Sequence, residues 1–221
     1  MKKRNIKLIF SLLLILLSCT ASKPNSDSEK ESDDLIKIEL YWSNIYYKKA
    51  EQAQGWKYIV IHHSAGNNGN AEIFHNWHTE KGYGGLAYHF VIGNGNGSND
   101  GEVETGFRWK EQISGTHVTV NSWYHNIFGI GICLVGDFNK TNPTSEQLNS
   151  LITLITNLSK QYNIPLENVI GHNDVPFGDP DWSDGKINAT FSTKTQTTSC
   201  PGKNLKLTEI RKSVSEKLVK K

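Results

Sequence analysis

Only three cysteines, Cys19, Cys133 and Cys200, occur in the 221 residues, too few for a disulfide framework. A single core in a chain of this length needs no such staples. Neither sign of charge is in excess: 24 Lys and Arg stand against 22 Asp and Glu. Without a clustered basic surface there is no electrostatic case for a nucleic-acid partner. No internal repeat is found. The apolar run over residues 8–17 is too short to span a bilayer comfortably, which takes about 20 residues. What the chain does have is aromatic mass, with 6 Trp, 8 Tyr and 8 Phe, a globular composition. The length fits one sizeable domain with appendages.

The N-terminus reads as a targeting segment. Lys2, Lys3, Arg4 and Lys7 form a positive region ahead of the apolar run, the proportions of a signal peptide. The run closes on Leu16-Leu17-Ser18-Cys19, which resembles a bacterial lipobox. That assigns residues 1–18 to a lipoprotein signal peptide and makes Cys19 the acylated first residue of the mature chain. An ordinary secretory signal with an incidental cysteine is the plainer reading; the small residue before Cys19 favours the lipobox. Residues 20–34 are rich in Ser, Lys, Asp and Glu, with almost nothing apolar. They cannot bury enough surface to fold, so 19–34 reads as a tether. Several acyl chains together give stable anchoring where one is marginal.

Residues 35–221 carry the domain. The segment 35–54 is ambiguous between helix and extended arm. Tyr58-Ile59-Val60-Ile61 reads as a buried strand, stopping at His62-His63-Ser64. Residues 71–81 read as a helix ended by Gly82, 87–92 as a second strand, 102–105 as a short one and 130–135 as a third strong one. Thr144 and Gln147 form a capping box, and Leu148, Leu151, Ile152, Ile155 and Leu158 then share one helical face. Residues 168–170 form a short strand leading to Gly171-His172. The polar, aperiodic stretch 176–199 reads as a long loop, and 205–219 as a terminal helix. Strands interleaved with helices predict an α/β domain: a central mixed sheet flanked by helices, with a cleft at the sheet edge.

Eight histidines occur, and a lone histidine is usually no ligand. His62 and His172 each follow a strand, and strand ends are where α/β proteins build sites. Cys200 lies in the turn Thr198-Ser199-Cys200-Pro201-Gly202. Two imidazoles and a thiolate suit zinc, and three protein ligands leave a fourth position for water. On spacing alone, a buried thiol and two unrelated histidines would be favoured.

The local contexts change that weighting. Val60-Ile61-His62-His63-Ser64, Gly85-Leu86-Ala87-Tyr88-His89-Phe90, Gly115-Thr116-His117 with Asn126 and Gly129-Ile130-Gly131-Ile132, Gly171-His172-Asn173-Asp174, and Thr198-Ser199-Cys200-Pro201-Gly202 occur in that order. They resemble the motifs of the type 2 N-acetylmuramoyl-L-alanine amidases and peptidoglycan recognition proteins, over residues 56–202. The resemblance implies zinc held by His62, His172 and Cys200, with His63 second choice for the first ligand. It implies a catalytic Tyr88, otherwise read as a core aromatic, a Thr198 hydroxyl bonding the oxyanion, and a substrate groove lined by His117. The implied reaction is hydrolysis of the amide between N-acetylmuramic acid and L-alanine in peptidoglycan or muropeptides, at the cell envelope. The absence of Asp after Cys19 leans toward the periplasmic face of the outer membrane. The alternative is a non-catalytic peptidoglycan-binding module; such relatives typically lose the cysteine ligand, which is present here.

Two departures from the family pattern stand out. Cys133 occupies a strand position where several bacterial members have Glu, so a carboxylate base is absent there. Cys133 reads as a buried thiol; a Cys133–Cys200 disulfide would remove a zinc ligand. The stretch between His172 and Cys200 is also longer than in compact members. Its Trp182 is expected either to contact substrate in a groove wall or to pin the loop to the domain, with equal weight.

Overall fold

A computed structural model of the chain describes residues 55–181 and 188–220. The signal, lipobox, tether and the 35–54 segment lie outside the described residues, as does Trp182. Within them, five strands form one mixed sheet: β1 (Tyr58–His63), β2 (Phe90–Ile92), β3 (Val103–Thr105), β4 (Gly129–Leu134) and β5 (Val169–Gly171). Their order is β3-β2-β4-β1-β5. Strand β1 runs parallel to both β4 and β5, and β2 runs parallel to β4 and antiparallel to β3. The helices are α1 (Ala71–Glu80), α2 (Phe107–Lys110), α3 (Trp123–Phe128), α4 (Ser145–Tyr162) and α5 (Leu207–Val219). The expected mixed sheet flanked by helices is the observed architecture.

Alternation along β1 divides the molecule into two faces. Ile59 and Ile61 join Ile130, Ile132 and Leu134 of β4 in the main core, covered by Leu151, Ile155 and Leu158 of α4 and Ile210 and Val214 of α5. Burying each such side chain stabilises by about 1.5–3 kcal/mol, which is what holds α4 and α5 to the sheet. The opposite face carries a smaller cluster of Val60, Val118 and Val175. His62 follows Val60 on that second face. Helix α4 starts where expected: the Thr144 side chain accepts from Gln147 N and the Gln147 side chain bonds back to Thr144 N. Asn163, in the left-handed conformation at φ 55°, ends it.

Two expectations are corrected. The second strand begins at Phe90, not at residue 87. Residues 86 and 87 are claimed by groups off the sheet: Arg108 Nε donates to Leu86 O, Ala87 N donates to His78 Nδ1, and Thr116 N donates to Ala87 O. The stretch 176–199 is not a loop but chiefly an antiparallel hairpin of β6 (Pro176–Asp181) and β7 (Asn188–Thr195). Its Thr-rich second strand has β-branched side chains that fit a pleated ribbon. The ribbon stands apart from the main sheet, so no buried face imposes an apolar alternation.

Candidate metal centre

Parallel pairing puts the carboxyl ends of β1 and β5 side by side. Gly171 pairs with Ile61, so His172, the next residue, arrives beside His62. Cys200 is brought in from beyond the hairpin, where Asn173 N donates to its carbonyl at 2.9 Å. One ligand atom from each of His62, His172 and Cys200 lies within 4.8 Å of the others. Cys200 Sγ is 3.7 Å from His62 Nδ1. Zinc–nitrogen and zinc–sulfur bond lengths in a tetrahedral site imply an N–S edge of about 3.6 Å. The donor set and its spacing therefore fit zinc.

The electrostatics of the cluster point the same way. Burial, then the neighbouring His172, His117 and His63, hold His62 well below the ordinary imidazole range. Burial lowers His172 too, against an opposing hydrogen bond with Gln196. Both rings are neutral at pH 7, the form that can bind a metal. Burial pushes the Cys200 thiol up to about 12, opposed by the His63 backbone N–H, which donates to Sγ at 3.3 Å. A thiolate here is costly without a positive charge, and a divalent cation supplies that charge.

The other expected residues are distributed as follows. His63 turns to the opposite face of β1, where its Nδ1 accepts from Phe138 N at 3.1 Å; it does not join the cluster. The Tyr88 ring sits 5.1 Å from that of His62, centroid to centroid. Burial, then the neighbouring Cys133 and Cys200 thiols, push its phenol well above its ordinary range. Cys133 lies opposite His62 on β4 and is a free, buried thiol, as is Cys200. Thr198 Oγ1 accepts from Cys200 N at 3.2 Å, which leaves its own O–H free to donate. His117 is expected to line the groove, but it is buried behind His62. Its Nδ1 is 3.1 Å from His62 Nε2 and its Nε2 is 3.2 Å from Gly129 O. Its seat exists because Gly115 and Gly131 lack side chains: a Cβ at either would lie 2.2 or 2.5 Å from His117 Cδ2.

Sequence reasoning misses two supports. Arg108 is fully buried and donates to Leu86 O, Ser114 O and Tyr83 O. It thereby ties the segment bearing Tyr88 to the one bearing His117. Gln196, also buried, bonds His172 Nε2 through Oε1 at 2.8 Å. Neither carries a sequence signal: Arg108 sits in a four-residue helix too short to show a period, and Gln196 in a polar stretch without one. Asn126, which belongs to one of the motifs, braces the His117 segment. Its Oδ1 accepts from His117 N and Val118 N, and its Nδ2 donates to Val118 O.

Against this geometry stand the similarities to known proteins. The family described as N-acetylmuramoyl-L-alanine amidase matches residues 52–203. The endolysin of Klebsiella phage KP32 is 35% identical over 104 residues, 45% of this chain and 60% of that protein. The endolysin of Escherichia phage T7 is 30% identical over 128 residues, 54% of this chain and 76% of that one. The chain thus spans less than two thirds of the KP32 protein. Among solved structures, the N-acetylmuramoyl-L-alanine amidase LysC from Clostridium intestinale URNW superimposes with a TM-score of 0.56 at 29% identity, over 72% of this chain and 85% of that one.

Proposed function

The chain belongs to the N-acetylmuramoyl-L-alanine amidase family, and from that premise we propose that it hydrolyses the amide between the muramic acid lactyl group and L-alanine in peptidoglycan or its fragments. The observation that carries this reading is the convergence of His62, His172 and Cys200, far apart in sequence, within 4.8 Å. These three residues would hold one zinc ion. Zinc held this way activates water for attack near neutral pH and polarises a carbonyl.

The chain's own groups complete the chemistry. The Tyr88 phenol stays protonated, because burial raises it, so it acts as a donor and not as a base. Beside His62, its O–H supplies a hydrogen bond to the charge that develops on the scissile carbonyl oxygen. Thr198 gives a second such bond: its oxygen already accepts from Cys200 N, which orients the hydroxyl.

The test is digestion of defined muropeptides with products identified by mass. Release of free peptide bearing an N-terminal L-alanine, abolished by a chelator and restored by zinc, is expected. Peptidoglycan binding without any cleavage would replace the enzyme by a binding module.

We further propose that residues 35–221 form the amidase domain, with 1–18 a lipoprotein signal and 19–34 a tether. The mature protein is then held through lipid on Cys19 at the periplasmic face of the outer membrane. Support comes from the lipobox-like run ending at Cys19. A fatty-acid probe should label the wild type and not Cys19→Ser; equal labelling would refute acylation there.

A further inference from the structure

Each of the two clustered histidines makes a hydrogen bond on its far side, and both chains of bonds end on a backbone group whose role is fixed. On one side, Gly129 O can only accept, so the nitrogen facing it, His117 Nε2, carries the proton. A neutral imidazole has one N–H, so His117 Nδ1 presents its lone pair to His62 Nε2 at 3.1 Å. His62 must then carry its proton on Nε2. Its Nδ1, 3.7 Å from Cys200 Sγ, keeps the lone pair.

On the other side, Thr119 N can only donate, and it faces Gln196 Oε1 at 3.3 Å. This fixes which end of the amide is oxygen, because the reversed amide would set two donors against each other. The Gln196 nitrogen, buried, meets no acceptor among the described residues, so it does not compete for the orientation. The same Oε1 lies 2.8 Å from His172 Nε2, which must therefore donate. His172 is left with its lone pair on Nδ1.

We propose that His117 and Gln196 are a matched pair of positioning residues that fix both metal-binding imidazoles as the Nε2–H tautomer and so aim both Nδ1 lone pairs at one point beside Cys200. The inference rests on the zinc site described above. It also gives the hairpin a role. Gln196 immediately follows β7, and Gln196 N donates to Val175 O, just before β6 begins. The ribbon closes at its base on the residue that orients His172. Outer partners of this kind set ring orientation and tautomer, and losing one typically weakens metal binding about 10–100-fold.

Two measurements test the pair, and neither needs activity. Long-range proton–nitrogen NMR of the metal-free, 15N-labelled protein, assigned with single-histidine variants, reports each tautomer directly. His62 and His172 should both be Nε2–H. An Nδ1–H signature at either would overturn the proposal, and this reading requires no variant at His117 or Gln196 to fold. Zinc affinity by chelator competition then separates orientation from mere packing. Gln196→Met, similar in size but without the acceptor, should bind zinc about 10–100-fold more weakly and show mixed tautomers at His172. Gln196→Glu, which restores an acceptor at the same reach, should recover the single tautomer. Unchanged zinc affinity in Gln196→Met would overturn the role of Gln196. A protein that shows both expected tautomers yet takes up no zinc would defeat the proposed function and leave the pair standing.

Discussion

The two walls of the candidate metal centre are built on opposite terms. One is the end of the main sheet, where His62 on β1 and His172 after β5 are fixed by parallel pairing over a buried core. The other is the base of the β6–β7 ribbon, which delivers Gln196 and then Cys200. The sheet wall is held by burial on both faces. Strand β7 of the ribbon is exposed from Thr190 to Thr195, and its Phe191, 40% exposed, lies 5.4 Å from the rings of both Tyr124 and His125. Two ligands are thus preset by the core, while the third depends on a segment of lower local stability. Damage to the sheet wall should therefore cost chemistry and fold together, and damage to the ribbon away from Gln196 and Cys200 should cost only local order.

The largest expected effect falls beside the sheet wall, where the Tyr88 ring faces that of His62. Tyr88→Phe should retain zinc and lose on the order of 10²-fold or more in kcat, the usual cost of one lost transition-state hydrogen bond. Unchanged turnover on a defined muropeptide would return Tyr88 to a packing role. Next comes Gly131→Ala, whose Cβ would lie 2.5 Å from His117 Cδ2. Overfilling a closed site costs about 1–3 kcal/mol, and the displaced His117 should weaken zinc binding about 10-fold or more. Thermal melting and chelator competition check both arms, and normal values in both would break the contrast from the sheet side.

The ribbon should respond more mildly. Phe191→Ala removes a half-exposed side chain, a loss of about 1 kcal/mol, and should be confined to the hairpin. Hydrogen exchange should quicken in β6 and β7 and stay unchanged in β1 and β4; a spread into the sheet would mean the two walls are one cooperative unit. Smallest is Trp182→Ala. If Trp182 contacts substrate, KM on intact sacculi should rise a few-fold at unchanged melting temperature, whereas lost stability with normal KM would make it a second pin.

The same contrast governs what can be read from the sequence. Ile59, Ile61, Ile130 and Ile132 are fully buried, so the strands bearing them show as apolar runs, and the capped, one-faced helix α4 shows through its period. His62, His172 and Cys200 stand beside such elements inside recognisable motifs. The ribbon has no comparable signal, because a two-stranded ribbon lying off the main sheet needs no alternation, and β7 has the Thr and Ser of a loop. Gln196 is invisible for the same reason. His117 is legible as a site residue but not in its place, since its depth depends on the bare Cα atoms of Gly115 and Gly131. The second strand reads three residues too long because its first expected position, Ala87, is held by His78 and Thr116 instead of by a neighbouring strand.

The central claim is that three residues from these two unlike walls hold one zinc. Elemental analysis of metal per chain, on wild type and on the Cys200→Ala protein purified alike, tests it most directly. About one zinc in the wild type and a marked loss when Cys200 is removed are expected. Full zinc occupancy in Cys200→Ala would contradict the claim.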